Sequence, residues 1–368
     1  MQRILHIAGK MDRAGAETMI MNLYRHIDRT KFQFDFVSFS DKEADFDKEI
    51  IELGGKIYHI VESNPIKRMF ALKDLLKEHS EYKVIHCHTL LSNAFHLYAG
   101  KMAKVPYRIS HAHSTNNSSK GKIIDYLYYS FSKTMISKYS THFISCGHEA
   151  GEFLYPSQKN VLFLPNSIDT RFFSEVGQKE KMYLQKMFQL DDDCLKIIQV
   201  GRIENVKNHR FSLEIASELK TRDIKFKMFF VGQGELLVEI EKEIKTKKIE
   251  KDVLLLGLRS DIPQLMAGSD VMLMPSFHEG FPVVLVESQS VGLPSLISAS
   301  ISKEVDMGVG LVEFESLETD MPIWVEKLVQ LKQKEKIDSQ IRLSKIAEQG
   351  FDIYNSVEIL ANLYNSLL

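Results

Sequence analysis

The sequence predicts an α/β protein of two consecutive domains, each a parallel sheet flanked by helices. Three observations carry this expectation. Short apolar runs alternate with amphipathic helical stretches along almost the whole chain. The alternation stops once, over residues 165–173 (PNSIDTRFF), where Pro, Asn and Asp give turn chemistry without helical period, and then restarts. At 368 residues, the chain is long enough to give each half its own core. The boundary is placed near residue 170. The domains then span 1–170 and 171–350, with a last helix over 351–368.

In the first half, strands are expected over 3–8, 34–39, 56–60, 84–88, 107–113, 142–145 and 161–164, with helices over 17–26, 41–53, 65–79 and 119–139. The loop between the first strand and helix carries Gly15. The Gly-x-Gly-x-x-Gly dinucleotide fingerprint is absent there, because Gly9 and Gly15 have the wrong spacing. In the second half, strands fall at 196–200, 227–231, 253–256 and 271–274, with helices at 209–219, 235–246 and 263–267. Residues 298–307 form a loop, 320–349 are largely helical, and 351–368 place Ile353, Val357, Leu360, Ala361 and Tyr364 at helical spacing.

The most informative stretch is Ser269 to Pro294. Val271–Met274 is an apolar run suited to a strand buried on both faces. A loop follows, and Pro282 suits the opening of a helix that stops at Gly292. Ligands of open parallel sheets bind at such strand ends, and the first helical turn offers free N–H groups to a phosphate. Glu279 and Glu287 flank the turn. At about 1.5 Å per residue they stand roughly 8 Å apart, too far to share a proton but placed to accept hydrogen bonds from two parts of one polyhydroxyl ligand. Residues 201–208 (GRIENVKN) likewise follow a strand. There Arg202 offers a planar fork and Lys207 a point charge to a phosphate.

Two strands end in His-x-His, His86/His88 and His111/His113. Residues two apart in a strand share a face, so four imidazoles gather at one sheet edge. Zinc is the weaker reading, since zinc sites usually show Cys or carboxylate partners and a closed shell; His86 and His111 read as core or edge residues. His113 opens into the small-polar loop Ser114, Thr115, Asn116, where a substrate pocket is expected.

The Glu279–Glu287 stretch, with Gly280-Phe281-Pro282 after the first Glu, resembles the signature of retaining glycosyltransferase family four. The Arg202…Lys207 element and the Gly15 loop, where Ala14 replaces a first glycine, resemble two further parts of that family's site. The resemblance covers the whole chain. It implies the GT-B fold: two Rossmann-like domains with parallel sheets facing across a cleft, the first binding acceptor, the second binding nucleotide-sugar, and the last helix packing back on the first. It implies a metal-independent hexosyltransferase whose donor, a UDP-sugar by our reading, is held by Gly15, Arg202, Lys207, Arg259, Glu279, Gly280, Phe281 and Glu287. Glu287 takes the ribose, Glu279 the sugar hydroxyls, and Arg202 and Lys207 the diphosphate, while the loop of Arg259 holds the base through its backbone. His113, or His111 in the alternative register, lies with Ser114 on the acceptor side. Catalysis is assigned to His113, Glu279, Arg202 and Lys207. The implied acceptor is a glycan or lipid-linked sugar of a capsule or exopolysaccharide pathway.

Composition narrows the rest. Net charge is −2, which gives no electrostatic case for nucleic acid. Residues 1–170 carry 22 Lys+Arg against 18 Asp+Glu, net +4, leaving −6 for the remainder. The three Cys are far apart and no apolar run reaches a membrane span, so a cytoplasmic protein without signal peptide is expected. The Asp45/Asp47 pair and Asp191–Asp193 read as solvated charge, so no catalytic metal or other cofactor is expected. Residues 119–139 interleave Lys120, Lys122, Lys133 and Lys138 with aromatics. They read either as a core helix with a basic rim or as a helix docking the first domain on the inner membrane surface. Three rival functions stay in view: a nucleotide-sugar 2-epimerase on the same architecture, a non-catalytic partner subunit, and a dinucleotide oxidoreductase, the last disfavoured by the missing glycine fingerprint.

Overall fold

A computed structural model describes residues 1–114 and 123–368. The chain forms two compact units: Met1–Ser167 together with Ile353–Leu368, and Ile168–Asp352.

The first unit holds a seven-stranded parallel sheet: β1 (Gln2–Gly9), β2 (Phe32–Ser38), β3 (Ile57–His59), β4 (Val84–Cys87), β5 (Tyr107–Ala112), β6 (His142–Ser145) and β7 (Val161–Phe163). Their spatial order is β3-β2-β1-β4-β5-β6-β7, so the winding reverses between β1 and β4. Alternate residues feed two cores. Ile4, Val84 and Ile109 join the face covered by helices Gly15–His26 and Ile353–Leu367, where Leu360 and Tyr364 are fully buried. Leu5, Ile7, Ile85 and Ala112 join the opposite face, packed by helices Pro65–Glu78, Asn93–Met102 and Ile123–Tyr139. The run 65–78 is a helix because Pro65 suits its first turn and Asn64 accepts from the free N–H groups of Ile66 and Lys67.

The second unit repeats the plan with six parallel strands: β8 (Leu195–Val200), β9 (Phe226–Val231), β10 (Val253–Gly257), β11 (Val271–Met274), β12 (Ser295–Ser298) and β13 (Val312–Glu315). The order β10-β9-β8-β11-β12-β13 reverses between β8 and β11. Those two central strands are tied at their entry ends by a buried pair. Lys196 Nζ lies 3.1 Å from Asp270 Oδ2, which also accepts from the Lys196 backbone N–H at 2.8 Å. Lys196 is the enclosed partner, and Lys332 Nζ also lies 3.9 Å from the same Asp270 oxygen, so it is loss of Asp270 that would leave a buried charge uncompensated.

Three expectations need correction. Residues 165–173 are not all irregular: helix Thr170–Lys179 starts inside them, capped by the Asp169 carboxylate accepting from the Phe172 N–H. The helix expected over 41–53 is only Asp47–Glu52. The residues before it are held by side-chain caps instead, which removes the solvated reading for Asp47, while Asp45 stays exposed. Asp47 is buried and accepts from the Ala44 N–H at 2.8 Å, and Asp45 accepts from the Arg13 N–H at 2.9 Å. Residues 115–122, including Lys120 and Lys122, lie outside the described residues. Among the described residues no helix is long and apolar enough to cross a membrane.

Candidate functional site

In the second unit the site grows from two neighbouring strand ends at the winding reversal. After β8 the chain runs through Gly201 to Asn208; after β11 it runs from Pro275 to Phe281. Gly201 has φ +149°, and a Cβ there would stand 3.1 Å from Lys207 Cε, so the lysine stem lies across the glycine. Gly232, after β9, has φ +143°; a Cβ would fall 2.1 Å from the Gly201 carbonyl oxygen. Only glycine permits that approach. Backbone bonds then lace the loops together. The Ile203 N–H donates to the Gln233 carbonyl at 3.0 Å, and the Phe277 N–H donates to the Val206 carbonyl at 2.9 Å. The Asn208 side-chain amide donates to the Pro275 carbonyl at 3.0 Å.

This lacing puts Lys207 Nζ 2.7 Å from Glu279 Oε1, with the two side chains only 17% and 11% exposed. Below the lysine, Gln199 donates to the Lys207 carbonyl at 2.9 Å, and its own oxygen accepts from Ser212 at 2.6 Å. The backbone carrying the cation is therefore fixed from the core side. Gly280 is open around its missing side chain, and Phe281 stacks on Phe351 at 4.7 Å. Helix Val284–Val291 starts just after Pro282 and ends at Gly292 with φ +91°. Glu287 lies in its first turn, and burial pushes its carboxyl up to about 7.

Two predicted residues behave differently from Lys207. Arg202 shares its loop but is 78% exposed and pairs with Glu204 at 2.9 Å. Arg259, beyond β10, makes a two-point pair with Asp261 at 2.7 and 2.6 Å, and Asp261 also accepts from Tyr183 at 2.6 Å.

In the first unit Gly15 is the first residue of its helix, with open space where a side chain would be. The His-x-His strands bring His86, His88, His111 and His113 together, and His6 of β1 joins them. The register pairs His6 with His86, and the two-residue period puts them on one face with Ile4 and Val84. His111 and His113 stack at 4.0 Å, and His86 Nδ1 lies 2.8 Å from the Tyr364 hydroxyl. Burial lowers all five pKa values, His6 to about 3 and His113 to about 4, and no carboxylate opposes it. The rings are uncharged at neutral pH. His111 is fully enclosed, whereas His113 is half-buried and Ser114 follows it at the strand end. Sequence reasoning missed His6. Its signal was available: RILHIA is a strand whose fourth residue shares the parity that brings the other imidazoles inward.

Comparison with known proteins bears on the family and the fold. The family profile "Glycosyltransferase Family 4" matches residues 13–172, and "Glycosyl transferases group 1" matches residues 183–307. EpsF of Bacillus subtilis, named as a glycosyltransferase, is 36% identical over 99% of this chain and 96% of its own. An Escherichia coli UDP-Gal:alpha-D-GlcNAc-diphosphoundecaprenol alpha-1,3-galactosyltransferase is 29% identical over 63% of this chain and 62% of its own. Among solved structures, Anabaena HepE in complex with UDP superposes with a TM-score of 0.79 over the whole of both chains at 16% identity, which speaks for the fold.

The raised Glu287 carboxyl gives a prediction with a definite sign. The folded chain keeps a proton that the unfolded chain releases near pH 4.5, so stability falls as pH rises from about 4.5 to 7. At about 1.4 kcal/mol per pKa unit the loss is on the order of 3 kcal/mol at pH 8. Glu287→Gln is expected to raise the melting temperature of the ligand-free protein at pH 8, with the gain shrinking to nothing near pH 4.5. Scanning calorimetry of both proteins across that range checks it.

The matched profiles fall on successive halves of a chain that is 36% identical to EpsF from end to end, and so this protein belongs to glycosyltransferase family four, the group 1 glycosyltransferases of GT-B fold.

Proposed function

We propose that this glycosyltransferase moves a hexose from a UDP-sugar to a glycan or lipid-linked acceptor in cell-surface polysaccharide assembly, with retention of configuration and without a metal. The observation that carries the reading is the Lys207–Glu279 pair, a cation and a carboxylate held side by side at two strand ends. A sugar diphosphate offers a partner to each: phosphate oxygens for Lys207, sugar hydroxyls for Glu279. The donor class is supported by the galactosyltransferase named for UDP-Gal and by the HepE complexes with UDP and UDP-glucose. The pathway is supported by the capsular polysaccharide biosynthesis glycosyltransferase CapH of Staphylococcus aureus, 24% identical over the whole chain.

In this reading Glu287 receives the ribose hydroxyls. Arg202, exposed on its loop, is free to swing from Glu204 to the diphosphate, and Gly280 and Phe281 offer backbone N–H groups to the phosphates. Arg259 stays with Asp261 and shapes the base-holding loop. Gly15, the first residue of its helix, offers a backbone N–H to a donor phosphate. The bond from the sugar's anomeric carbon to the phosphate oxygen breaks, and the acceptor oxygen bonds to that carbon on the same face. The acceptor proton passes to the departing phosphate oxygen, and Lys207 stabilises the charge left on the diphosphate. His113, more accessible than His111, positions a sugar or acceptor hydroxyl beside Ser114.

Transfer from radiolabelled UDP-sugars to a lipid extract tests the assignment. Lys207→Ala and Glu279→Ala are each expected to lose on the order of 100-fold or more in turnover while keeping the wild-type circular dichroism spectrum. Wild-type rates in both variants would remove the pair from the site.

We also propose that helix Ile123–Tyr139 rests on an anionic membrane surface. It exposes Tyr126 (75%), Leu127 and Phe131, and such residues beside Lys133 and Lys138 suit a headgroup interface. The triple variant Tyr126→Ser, Leu127→Ser, Phe131→Ser is expected to lose sedimentation with phosphatidylglycerol vesicles. Undiminished binding would refute the contact.

A further inference from the structure

Away from Lys207 and Glu279, the second unit has another concave surface. A cavity of about 610 Å³ opens where its central strands begin. Lys196 is the second residue of β8, and Asp270, Pro294 and Leu311 stand just before β11, β12 and β13; all four line it. The strands are parallel, so the loops carrying Lys207 and Glu279 leave from the opposite ends. Six-residue β8 alone sets the two ends roughly 20 Å apart. The volume lies in the range of small-molecule sites, about 300–1,000 Å³.

The charge of this cavity is one-sided. Lys181, Lys196, Lys332, Lys334, Lys336 and Arg342 line it, against the carboxylates of Asp192, Asp270 and Glu335. The fold accounts for three of these cations. Lys196 and Lys332 lie 3.1 and 3.9 Å from Asp270 Oδ2, and Lys332 also donates to the Asp193 and Cys194 carbonyls at 2.9 and 3.1 Å. Lys334 pairs with Glu313 at 3.2 Å. Lys181, Lys336 and Arg342 make no ion pair among the described residues. With Glu313 included, the surplus is two positive charges.

Arg342 sets this surplus in the wall and not only on the surface. It belongs to helix Ser339–Glu348 and is 6% exposed. Its guanidinium lies against Gly292, where a Cβ would stand 3.0 Å from Cζ. It donates to the Ile337 carbonyl and, at 3.5 Å, to the Ser290 carbonyl. It thus ends helix Val284–Val291, whose dipole favours a cation there. These carbonyls solvate the charge but do not cancel it. Asp338 is the carboxylate whose charge is felt at Arg342, and it caps its own helix by accepting from the Gln340 and Ile341 N–H groups. Buried Met266 and Leu331 supply apolar wall. Low-dielectric walls carrying charge of one sign focus its field into the cleft.

We propose that this cavity binds a phosphate group, as the free ion or as the ester of a small organic molecule. Lys181 and Lys336, both exposed, make the contacts, and Arg342 supplies charge from the wall behind them. A phosphate group carries a charge of about −1.5 to −2 at pH 7, which matches the surplus; a single carboxylate does not. The cavity size limits the ligand to a small molecule. This site is separate from the donor site and does not rest on the function proposed above.

Calorimetric titration of the full chain with inorganic phosphate and with fructose 1,6-bisphosphate tests the proposal. At least one of the two is expected to bind saturably, one molecule per chain. The double variant Lys181→Gln, Lys336→Gln is expected to weaken that binding by about tenfold or more. Arg342→Met, which keeps the length and removes the charge, is expected to act in the same direction. The double variant Lys31→Gln, Lys48→Gln removes as much charge from exposed positions of the first unit and is expected to change nothing. Lys207→Ala is also expected to leave the binding unchanged, which separates this cavity from the donor site. Tighter binding of the bisphosphate supports an organic ester as ligand, and equal binding of inorganic phosphate supports the free ion. Absence of saturable binding at millimolar concentration would overturn the proposal. So would wild-type affinity in Lys181→Gln, Lys336→Gln, an equal loss in Lys31→Gln, Lys48→Gln, or loss of binding in Lys207→Ala. Should Arg342→Met fail to fold, the two exposed lysines decide alone.

Discussion

The contact between Lys207 and Glu279 is the constraint on which the second unit's site depends. It joins the loop after β8 to the loop after β11, the two strands between which the winding reverses. That is where an open sheet leaves a crevice for ligands. Neither side chain is well solvated, so each charge is tolerable chiefly because the other is near it. In the proposed function a sugar diphosphate would relax this mutual dependence, giving the cation an anion and the carboxylate hydroxyl donors. The surrounding features serve the same contact. Gly201 lies under the lysine stem, Gly232 lets the β9 loop close in, and the Phe277–Val206 bond fixes the spacing of the two loops.

The first unit solves a different problem at its own point of reversal. Five uncharged imidazoles occupy positions that would ordinarily be apolar, and burial holds them neutral. Polar side chains at this depth are tolerated when they bond to one another. His6, His88 and His113 do so in series, with 3.0 and 2.8 Å between ring nitrogens, and the last helix contributes through the Tyr364 hydroxyl on His86. Burial thus acts in opposite senses in the two units. It removes charge from basic groups in the first and from the Glu287 carboxyl in the second.

Much of this was legible in the sequence because it rests on local pattern. The apolar run Val271–Met274 is β11 to the residue, and His142–Ser145 is β6. The segment 165–173 misled because Pro, Asn and Asp signal a turn, while Asp169 in fact starts a helix whose apolar residues are sparse. The short helix Asp47–Glu52 was overextended because the charged run before it has helical composition but spends its carboxylates on backbone N–H groups. Among site residues, Glu279 and Glu287 were visible through their spacing around Pro282. The closeness of Lys207 to Glu279 was not, since it depends on strand order. His6 escaped notice for the same reason: a single histidine in an apolar strand reads as core until its neighbours across the sheet are known.

Calorimetric titration of the purified chain with UDP and a panel of UDP-sugars, in EDTA, tests the central claim most directly. The account predicts binding of UDP without divalent metal, tighter binding of one UDP-sugar, and loss of both in Lys207→Ala. Absence of heat with every nucleotide, or undiminished binding in that variant, would contradict it.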